Sequence, residues 1–149
     1  MSWHPHATVA AIVEKEGKFL LVEEHSSGQI VLNQPAGHIE EDETFITAVC
    51  RETLEETAWH IDPKYLVGLY IYKSALNNTT YHRACFYAEA IRHESARQLD
   101  KGIIQAIWMS RDEIAAQQEK LRSPMVLRCI DDYLAGKQYP LNLITEYLN

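Results

Sequence analysis

The segment that most constrains the fold of this chain is residues 37–59, GHIEEDETFITAVCRETLEETAW. Its apolar residues recur at the three- and four-residue intervals of an α-helix. They form two separate flanks, the first consisting of Phe45, Ala48 and Val49 and the second of Ile46, Cys50 and Leu54. The pattern therefore predicts a helix that is buried on two sides and has little surface left for solvent.

The same segment concentrates negative charge. Seven of the chain's 21 acidic residues lie in it against one base, Arg51, so the segment has a charge of −6 in a protein of net charge −7. Glu52, Glu55 and Glu56 fall on one arc of about 100° of the predicted helix. Like charges repel at these spacings, and the macrodipole disfavours anions near the C-terminal end of a helix. A bound cation would reverse the sign of both effects, which favours a metal site.

A solvent-exposed acidic face is the alternative interpretation, because most runs of charge lie on protein surfaces. Two observations count against it. The helix has two apolar flanks, and Arg51 is the sole base at a helical pairing distance from Glu55 or Glu56. We therefore interpret the acidic cluster as a functional site.

The spacing of these residues resembles the signature of the Nudix hydrolase family. That signature is a glycine, five residues, a glutamate, seven residues, and then Arg-Glu-aliphatic-any-Glu-Glu-any-Gly-aliphatic. Six fixed residues match it, namely Gly37, Glu43, Arg51, Glu52, Glu55 and Glu56. Thr53, Ala58 and Trp59 depart from it, at positions that carry no metal ligand in the family. Ala58 indicates that the turn after the helix either avoids a positive φ or tolerates it at a cost.

The resemblance implies a hydrolase that uses Mg²⁺, with Mn²⁺ as a substitute. Mg²⁺ takes oxygen ligands, so three carboxylates and a backbone carbonyl suit it better than they suit Zn²⁺. By resemblance, the metal ligands are the Gly37 carbonyl and the side chains of Glu52, Glu55 and Glu56. The implied catalytic residues are Arg51, Glu52, Glu55 and Glu56, and Arg51 and Glu43 position the ligands without binding metal. The sequence leaves open the number of metal ions and the general base, which is Glu55, Glu56 or a later carboxylate such as Asp100.

The flanking sequence narrows the resemblance to the NudJ-type bacterial phosphatases within this family. The stretches that carry it are HPHATVAAIV, EGKFLLVEE, NQPAGHIE and LRSPMVLRCIDDYLAGKQYPL. This group implies hydrolysis of phosphoanhydride bonds in nucleoside di- and triphosphates and in thiamine-type pyrophosphates. The alternatives are another Nudix substrate class, such as ADP-ribose or dinucleoside polyphosphates, and a non-catalytic module that senses a nucleotide. The complete set of signature glutamates favours catalysis over sensing.

Length and composition favour one globular domain over residues 1–149. The net negative charge and the lack of a Lys/Arg stripe argue against nucleic acid as a partner. The expected partner is a small pyrophosphate-containing molecule, and the chain is expected to act as a monomer or a homodimer. Three scattered cysteines, no apolar run of about 18 residues and no signal-peptide pattern predict a cytoplasmic protein that does not bind membranes.

Strand patterns precede and follow the acidic helix. The predicted strands are residues 7–14, 18–24, 30–32, 65–73, 81–91 and 103–109. The turn Glu16-Gly17 predicts that the first two form a hairpin. Ser110 and Glu113 form a capping box that opens a helix, and Met125–Leu134 is the last predicted helix. This order predicts an α/β fold, an α/β/α sandwich with a mixed β-sheet, which the Nudix resemblance also implies.

Several other residues are weaker candidates. His4 and His6 form a His-x-His pair that can bind metal, but no third ligand is near in sequence, so ordinary polar roles are expected. Lys73 and Arg83 are candidate phosphate contacts. Four aromatic residues are candidates to stack on a base or a pyrimidine ring, with core positions as the alternative. They are Tyr70, Tyr72, Tyr81 and Phe86.

Overall fold

The computed structural model describes residues 2–148, which form two four-stranded β-sheets and three α-helices. The strands are β1 (His6–Ile12), β2 (Glu14–Lys15), β3 (Lys18–Ser26), β4 (Gln29–Asn33), β5 (Ala36–His38), β6 (Trp59–Lys73), β7 (Thr80–His93) and β8 (Ile103–Ser110). The helices are α1 (Phe45–Thr57), α2 (Arg111–Ala115) and α3 (Met125–Leu134), with 3₁₀ turns at Gln118–Lys120 and Leu141–Leu143.

The first sheet is mixed, with the strand order β5-β1-β7-β6. β1 and β7 are parallel, whereas the β1–β5 and β6–β7 pairs are antiparallel. The second sheet is antiparallel, and in it β3 pairs with β2, β4 and β8. Parallel strands need a long connection, and the chain between β1 and β7 contains strands β2 to β4 of the second sheet and helix α1, whereas β8 of the second sheet follows β7.

Alternate residues of β1 point to opposite faces of the first sheet and fill two separate cores. Val9 and Ala11 pack in the same buried cluster as Ala48 of helix α1. Ala10 lies in the other buried cluster, which contains Cys129 of helix α3. Helices therefore cover both faces, and the predicted α/β/α sandwich with a mixed β-sheet is confirmed.

The hairpin predicted for the first two strand patterns has the expected turn, but the strand expected to pair with residues 18–24 lies in the other sheet. Glu16 and Gly17 have φ values of 54° and 78°, as a type I′ turn requires, and β2 pairs across this turn with the start of β3. The apolar residues before β2 instead form β1, which pairs with β5 and β7 in the other sheet. An apolar run indicates burial but does not identify the partner strand, because that choice is made by distant residues.

Strand β6 begins directly after helix α1 at Trp59, whereas the sequence predicted that it begins after Pro63. The register between β6 and β7 shifts from Pro63 to Tyr65, and β6 lies at the edge of its sheet. Edge strands and irregular positions are where a strand tolerates a proline. The capping box at Ser110 and helix Met125–Leu134 are formed as predicted.

Candidate active site

Helix α1 carries four of the predicted site residues, and both of its ends are capped; the four are Arg51, Glu52, Glu55 and Glu56, whereas Gly37 lies in β5 and Glu43 precedes the helix. Thr44 accepts a hydrogen bond from the Thr47 backbone N–H at 3.0 Å, which satisfies one of the free donors of the first turn. At the other end Ala58 adopts a left-handed conformation with φ of 64°, and its N–H bonds to the Leu54 carbonyl at 2.9 Å. The sequence left open whether Ala58 avoids a positive φ or tolerates one, and the structure shows the positive φ. This conformation ends the helix and leads the chain directly into β6.

Arg51 forms hydrogen bonds with the carboxylates of three glutamates. Its Nε lies 2.5 Å from Glu43, and its Nη1 donates to Glu52 at 2.7 Å and to Glu55 at 3.1 Å. Its Nη2 donates to the backbone carbonyl of His38 at 3.1 Å. The hydrogen bond to Glu43 raises the pKa of Arg51, and the same bond lowers the pKa of Glu43. The structure thus brings Arg51, Glu43, Glu52 and Glu55 together, and Arg51 restricts the orientation of the three glutamates.

Glu52 lies directly against the backbone of Gly37. A Cβ atom at position 37 would overlap the Glu52 carboxylate, so a glycine is needed for this close approach. Burial raises the pKa of Glu52 even though Arg51 acts in the opposite direction, and the charges of Glu55 and Asp100 add to the rise. The predicted carbonyl ligand and one predicted carboxylate ligand are therefore neighbours.

Glu56 is a buried carboxylate, with 8% of its surface exposed. It accepts a hydrogen bond from the Ala36 backbone N–H at 2.9 Å, and among the described residues no side-chain nitrogen of Lys, Arg or His lies within 4.0 Å of its carboxylate oxygens. Its pKa is raised to about 9, mainly by burial and to a smaller extent by the charges of Glu24, Glu52 and Asp100, despite that hydrogen bond. A buried carboxylate without a cationic partner is expensive to ionise, so this position favours a bound cation.

The donor set suits a hard divalent cation. It consists of carboxylate oxygens and the Gly37 backbone carbonyl, which are the ligands that Mg²⁺ and Mn²⁺ prefer. Within residues 2–148 no three His, Cys, Asp or Glu side chains are arranged as a complete metal site. In the present arrangement Glu52 and Glu55 are instead turned to Arg51, and Glu56 is turned to the Ala36 amide.

A cleft of about 790 Å³ opens beside Gly37, Glu52 and Glu56. Its walls come from both sheets and helix α1, from the 26–29 and 74–77 turns and from the segment 119–125. Three of the four candidate aromatic residues line this cleft together with Arg83; they are Tyr70, Tyr72 and Tyr81. A cavity of this size accommodates a small-molecule ligand.

The remaining candidates lie elsewhere. Phe86 is fully buried in the core next to Phe45, so it is not a ligand contact. Lys73 is exposed and does not line the cleft. Asp100 is also outside the cleft lining, but its backbone N–H donates to the Glu55 carbonyl at 2.9 Å. Burial and the charge of Glu55 raise the pKa of Asp100, so Asp100 is close enough to the acidic cluster to interact with it electrostatically.

His6 contacts a second histidine and a cleft tyrosine. Its Nδ1 lies 2.9 Å from Nε2 of His38, and its ring packs edge-on against Tyr81. His4 stacks on His6 with ring centroids 6.4 Å apart. Burial lowers the pKa of His38, and the charges of His6 and Arg122 lower it further.

Sequence reasoning missed several cleft residues. Glu24 in β3 forms an ion pair with Arg122 at 3.2 Å, and both line the cleft. Asn33 and Gln34 are buried polar residues whose amide oxygens accept hydrogen bonds from Arg83. The polar pair Asn33-Gln34 at the end of an apolar strand was a detectable sign of a functional position. Residues 121–125 open one of the stretches that carry the NudJ-type resemblance, but no pattern placed them at the cleft.

Comparison with known proteins agrees with this geometry. The NUDIX domain model matches residues 3–129. Phosphatase NudJ of Escherichia coli (strain K12) is 39% identical over 143 residues, which cover 96% of this chain and 92% of that protein. The structure of a NUDIX hydrolase from Nitrosomonas europaea is 48% identical, with a TM-score of 0.95 over 97% of this chain and 98% of that chain. A MutT NUDIX hydrolase from Burkholderia pseudomallei shares the fold, with 17% identity and a TM-score of 0.74 over 87% of this chain and 98% of that chain.

The chain belongs to the Nudix family, as its glycine, arginine and glutamate spacing predicted. It is an enzyme of the pyrophosphohydrolase or phosphatase type. Nudix hydrolases generally use divalent metal ions and act on small molecules. In the part of the chain that the structure describes, every helix is too short or too polar to cross a membrane.

Proposed function

We propose that this chain is a Mg²⁺-dependent Nudix hydrolase, active also with Mn²⁺, that cleaves phosphoanhydride bonds of nucleoside di- and triphosphates and of thiamine-type pyrophosphates. The likeness to Phosphatase NudJ over nearly the whole chain supports this substrate class. The size of the cleft and its three tyrosines also support a small ligand with a planar ring.

One observation carries the proposal. Glu56 is buried without a cationic partner in the described residues, at the end of a cleft that Gly37 and Glu52 also line. Burial of this kind raises the free energy of the ionised carboxylate, and a divalent cation is the group that offsets it. A phosphoanhydride is also polyanionic, so cation and substrate charges complement one another at this end of the cleft.

The residues that would hold the metal are the Gly37 carbonyl, Glu52, Glu55 and Glu56. When bound, the ion would neutralise the charge of the phosphoanhydride and promote attack by water. Arg51, which is itself paired with Glu43, hydrogen-bonds to Glu52 and Glu55 at 2.7 and 3.1 Å and would limit the movement of these two carboxylates. The proton of the attacking water passes to Glu55, Glu56 or Asp100.

We further propose that the whole chain forms one Nudix domain and acts in the cytoplasm as a monomer or a homodimer. The residues after the family match support the first point. Tyr139 pairs with Leu66 of β6 through two backbone hydrogen bonds of 2.9 Å, and Leu141 and Ile144 pack on the core of helix α1. Cys50, Cys85 and Cys129 are free thiols, which suits a reducing compartment.

The test is a substrate panel assayed for phosphate or pyrophosphate release with millimolar Mg²⁺, with Mn²⁺ and with EDTA. The panel contains nucleoside di- and triphosphates, thiamine pyrophosphate, ADP-ribose, a dinucleoside polyphosphate and a phosphomonoester. We expect cleavage of the first two classes, abolition by EDTA and an inert phosphomonoester, which lacks the anhydride. Cleavage of ADP-ribose or the dinucleoside polyphosphate alone would replace the proposed substrate class. Binding of nucleotides without any turnover would identify a sensing module.

A further inference from the structure

Arg83 is the guanidinium group that the proposed chemistry leaves unexplained. It lies half-buried on β7 and lines the cleft. Its Nη1 donates to the side-chain oxygen of Gln34 at 2.9 Å and approaches the Cys129 sulfur at 3.8 Å. Its Nη2 donates to the side-chain oxygen of Asn33 at 3.2 Å. Gln34 and Asn33 are neutral amides, so these two hydrogen bonds orient the guanidinium without cancelling its charge.

The other cleft arginine is neutralised. Arg122 pairs with Glu24 at 3.2 Å. Arg51, behind the acidic cluster, pairs with Glu43, Glu52 and Glu55. Over the described range 2–148, by contrast, no carboxylate oxygen lies within 4.0 Å of a nitrogen of Arg83. An arginine has five N–H donors, and the three contacts of Arg83 leave two of them without a protein partner. A fixed and uncompensated guanidinium in a cleft is complementary to an anion.

The strand register gives the order in which the cleft residues follow one another along the first sheet. The backbone N–H of Ala36 donates a hydrogen bond to Glu56, and Ala36 is paired with Ala10 of β1. Two residues before Ala10, Thr8 is opposite Arg83. Two residues before Thr8, His6 is opposite Tyr81, and Tyr81 is in turn opposite Tyr72. Residues two apart on a strand share a face and are separated by about 6.6–6.8 Å.

From this order we infer that Arg83 determines specificity by binding a second phosphoryl group of the substrate, beyond the anhydride that reacts at the carboxylates. Tyr72 and Tyr81, one step farther along the same face, take the planar ring. The inference rests on the proposed function and makes it more specific. In a nucleoside triphosphate the reacting anhydride leaves one more phosphoryl group for Arg83. In a nucleoside diphosphate the anhydride uses both phosphoryl groups, so Arg83 has none left to bind.

The test compares kcat/KM for the triphosphate and the diphosphate of one nucleoside, with saturating Mg²⁺, in wild type and Arg83→Gln. Because the two substrates share a ring, its contacts cancel in the comparison. We expect kcat/KM for the triphosphate to fall by about 10- to 100-fold, the range for losing a hydrogen bond to a charged group. The value for the diphosphate should fall much less. Arg83→Lys, which keeps the charge but not the forked donors, should restore part of the loss.

Arg92→Gln is the matched control. Arg92 is exposed, bonds to His60 at 3.0 Å and lies outside the cleft, so both kinetic values should stay at those of the wild type. An equal fall for the two substrates in Arg83→Gln, or no fall, would overturn the inference, since a merely structural role affects both alike. If Arg83→Gln does not fold, the Arg83→Lys variant decides by the same ratio.

A binding measurement separates this inference from the proposed function. A non-hydrolysable nucleoside triphosphate analogue is titrated into each variant by calorimetry with Mg²⁺ present. Absence of turnover by the wild type would contradict the proposed function alone. In that case weaker binding of the analogue to Arg83→Gln, by about 10- to 100-fold, still supports the inference. An unchanged Kd would contradict it.

Discussion

Thr53→Val is expected to stabilise the protein although it removes a polar atom from helix α1. Thr53 is fully buried, and its hydroxyl is the one buried side-chain polar atom without a hydrogen-bond partner in the described residues. It also occupies a signature position that is aliphatic in the Nudix family. Valine has the same branched shape, so the substitution removes the unpaired hydroxyl without changing the packing much.

The expected size follows from the cost of an unpaired buried group. A buried hydroxyl without a partner destabilises a protein by about 1–3 kcal/mol. We therefore expect the free energy of unfolding to rise by about 1 kcal/mol and the Tm to rise by about 2–4 °C for a chain of this length. Urea denaturation with an unchanged slope is the assay, because an unchanged slope shows that the exposed area on unfolding is the same.

Thr57→Val is the matched control, one turn further along the same helix. Thr57 is equally buried, but its hydroxyl donates to the Thr53 carbonyl at 2.6 Å and accepts from the Trp59 N–H at 3.2 Å. Loss of the Thr57 hydroxyl should lower the free energy of unfolding by about 1–2 kcal/mol, because both of its hydrogen bonds are lost. Opposite signs at the two positions are the expected result. A neutral or destabilising Thr53→Val would refute the reasoning that this hydroxyl is unpaired.

Three further predictions test local geometry. Glu16→Asn should raise the free energy of unfolding by about 0.5–1 kcal/mol, because Glu16 has a positive φ in a hairpin turn that favours Asn-Gly; an unchanged urea midpoint would contradict this. Gly37→Ala should reduce hydrolysis by about 10²-fold in a folded protein, because the added Cβ displaces the Glu52 carboxylate; wild-type rates would show that this contact is dispensable. Ser110→Ala should lower the free energy of unfolding, measured by thermal denaturation, by about 1 kcal/mol, because it removes the hydroxyl of the Ser110–Glu113 capping box. An unchanged Tm would show that the box contributes nothing.

Local patterns predicted the helices and grouped the acidic residues of α1. Met125–Leu134 has the predicted bounds, since helical spacing and a following Gly136 are contained within one stretch of sequence. Glu52, Glu55 and Glu56 could be grouped because all three stand on one helix. Arg51 could be connected with Glu55 for the same reason.

Long-range contacts were the part that the sequence did not reveal. The pairing of β1 with β7 joins residues more than 70 positions apart, and nothing in residues 7–14 distinguishes that partner from β3. Likewise Tyr70 is fixed by a 2.7 Å hydrogen bond to Asp132 of helix α3, which no spacing predicts. The neutral surroundings of Arg83 depend on Asn33 and Gln34, about 50 residues earlier, so its uncompensated charge appears only in the folded chain.

The most direct test of the central claim compares Glu56→Gln with Glu41→Gln in Mg²⁺-dependent hydrolysis of a nucleoside triphosphate. Both substitutions replace an ionisable carboxyl group of the same acidic segment by an amide, but Glu56 is buried at the cleft and Glu41 is exposed outside it. The metal-site account predicts a fall of about 10²–10⁴-fold for Glu56→Gln, the range for losing a central charged or proton-transferring group. It predicts a near wild-type rate for Glu41→Gln. Equal and small effects at the two positions would contradict the account and leave the glutamates as a charged surface.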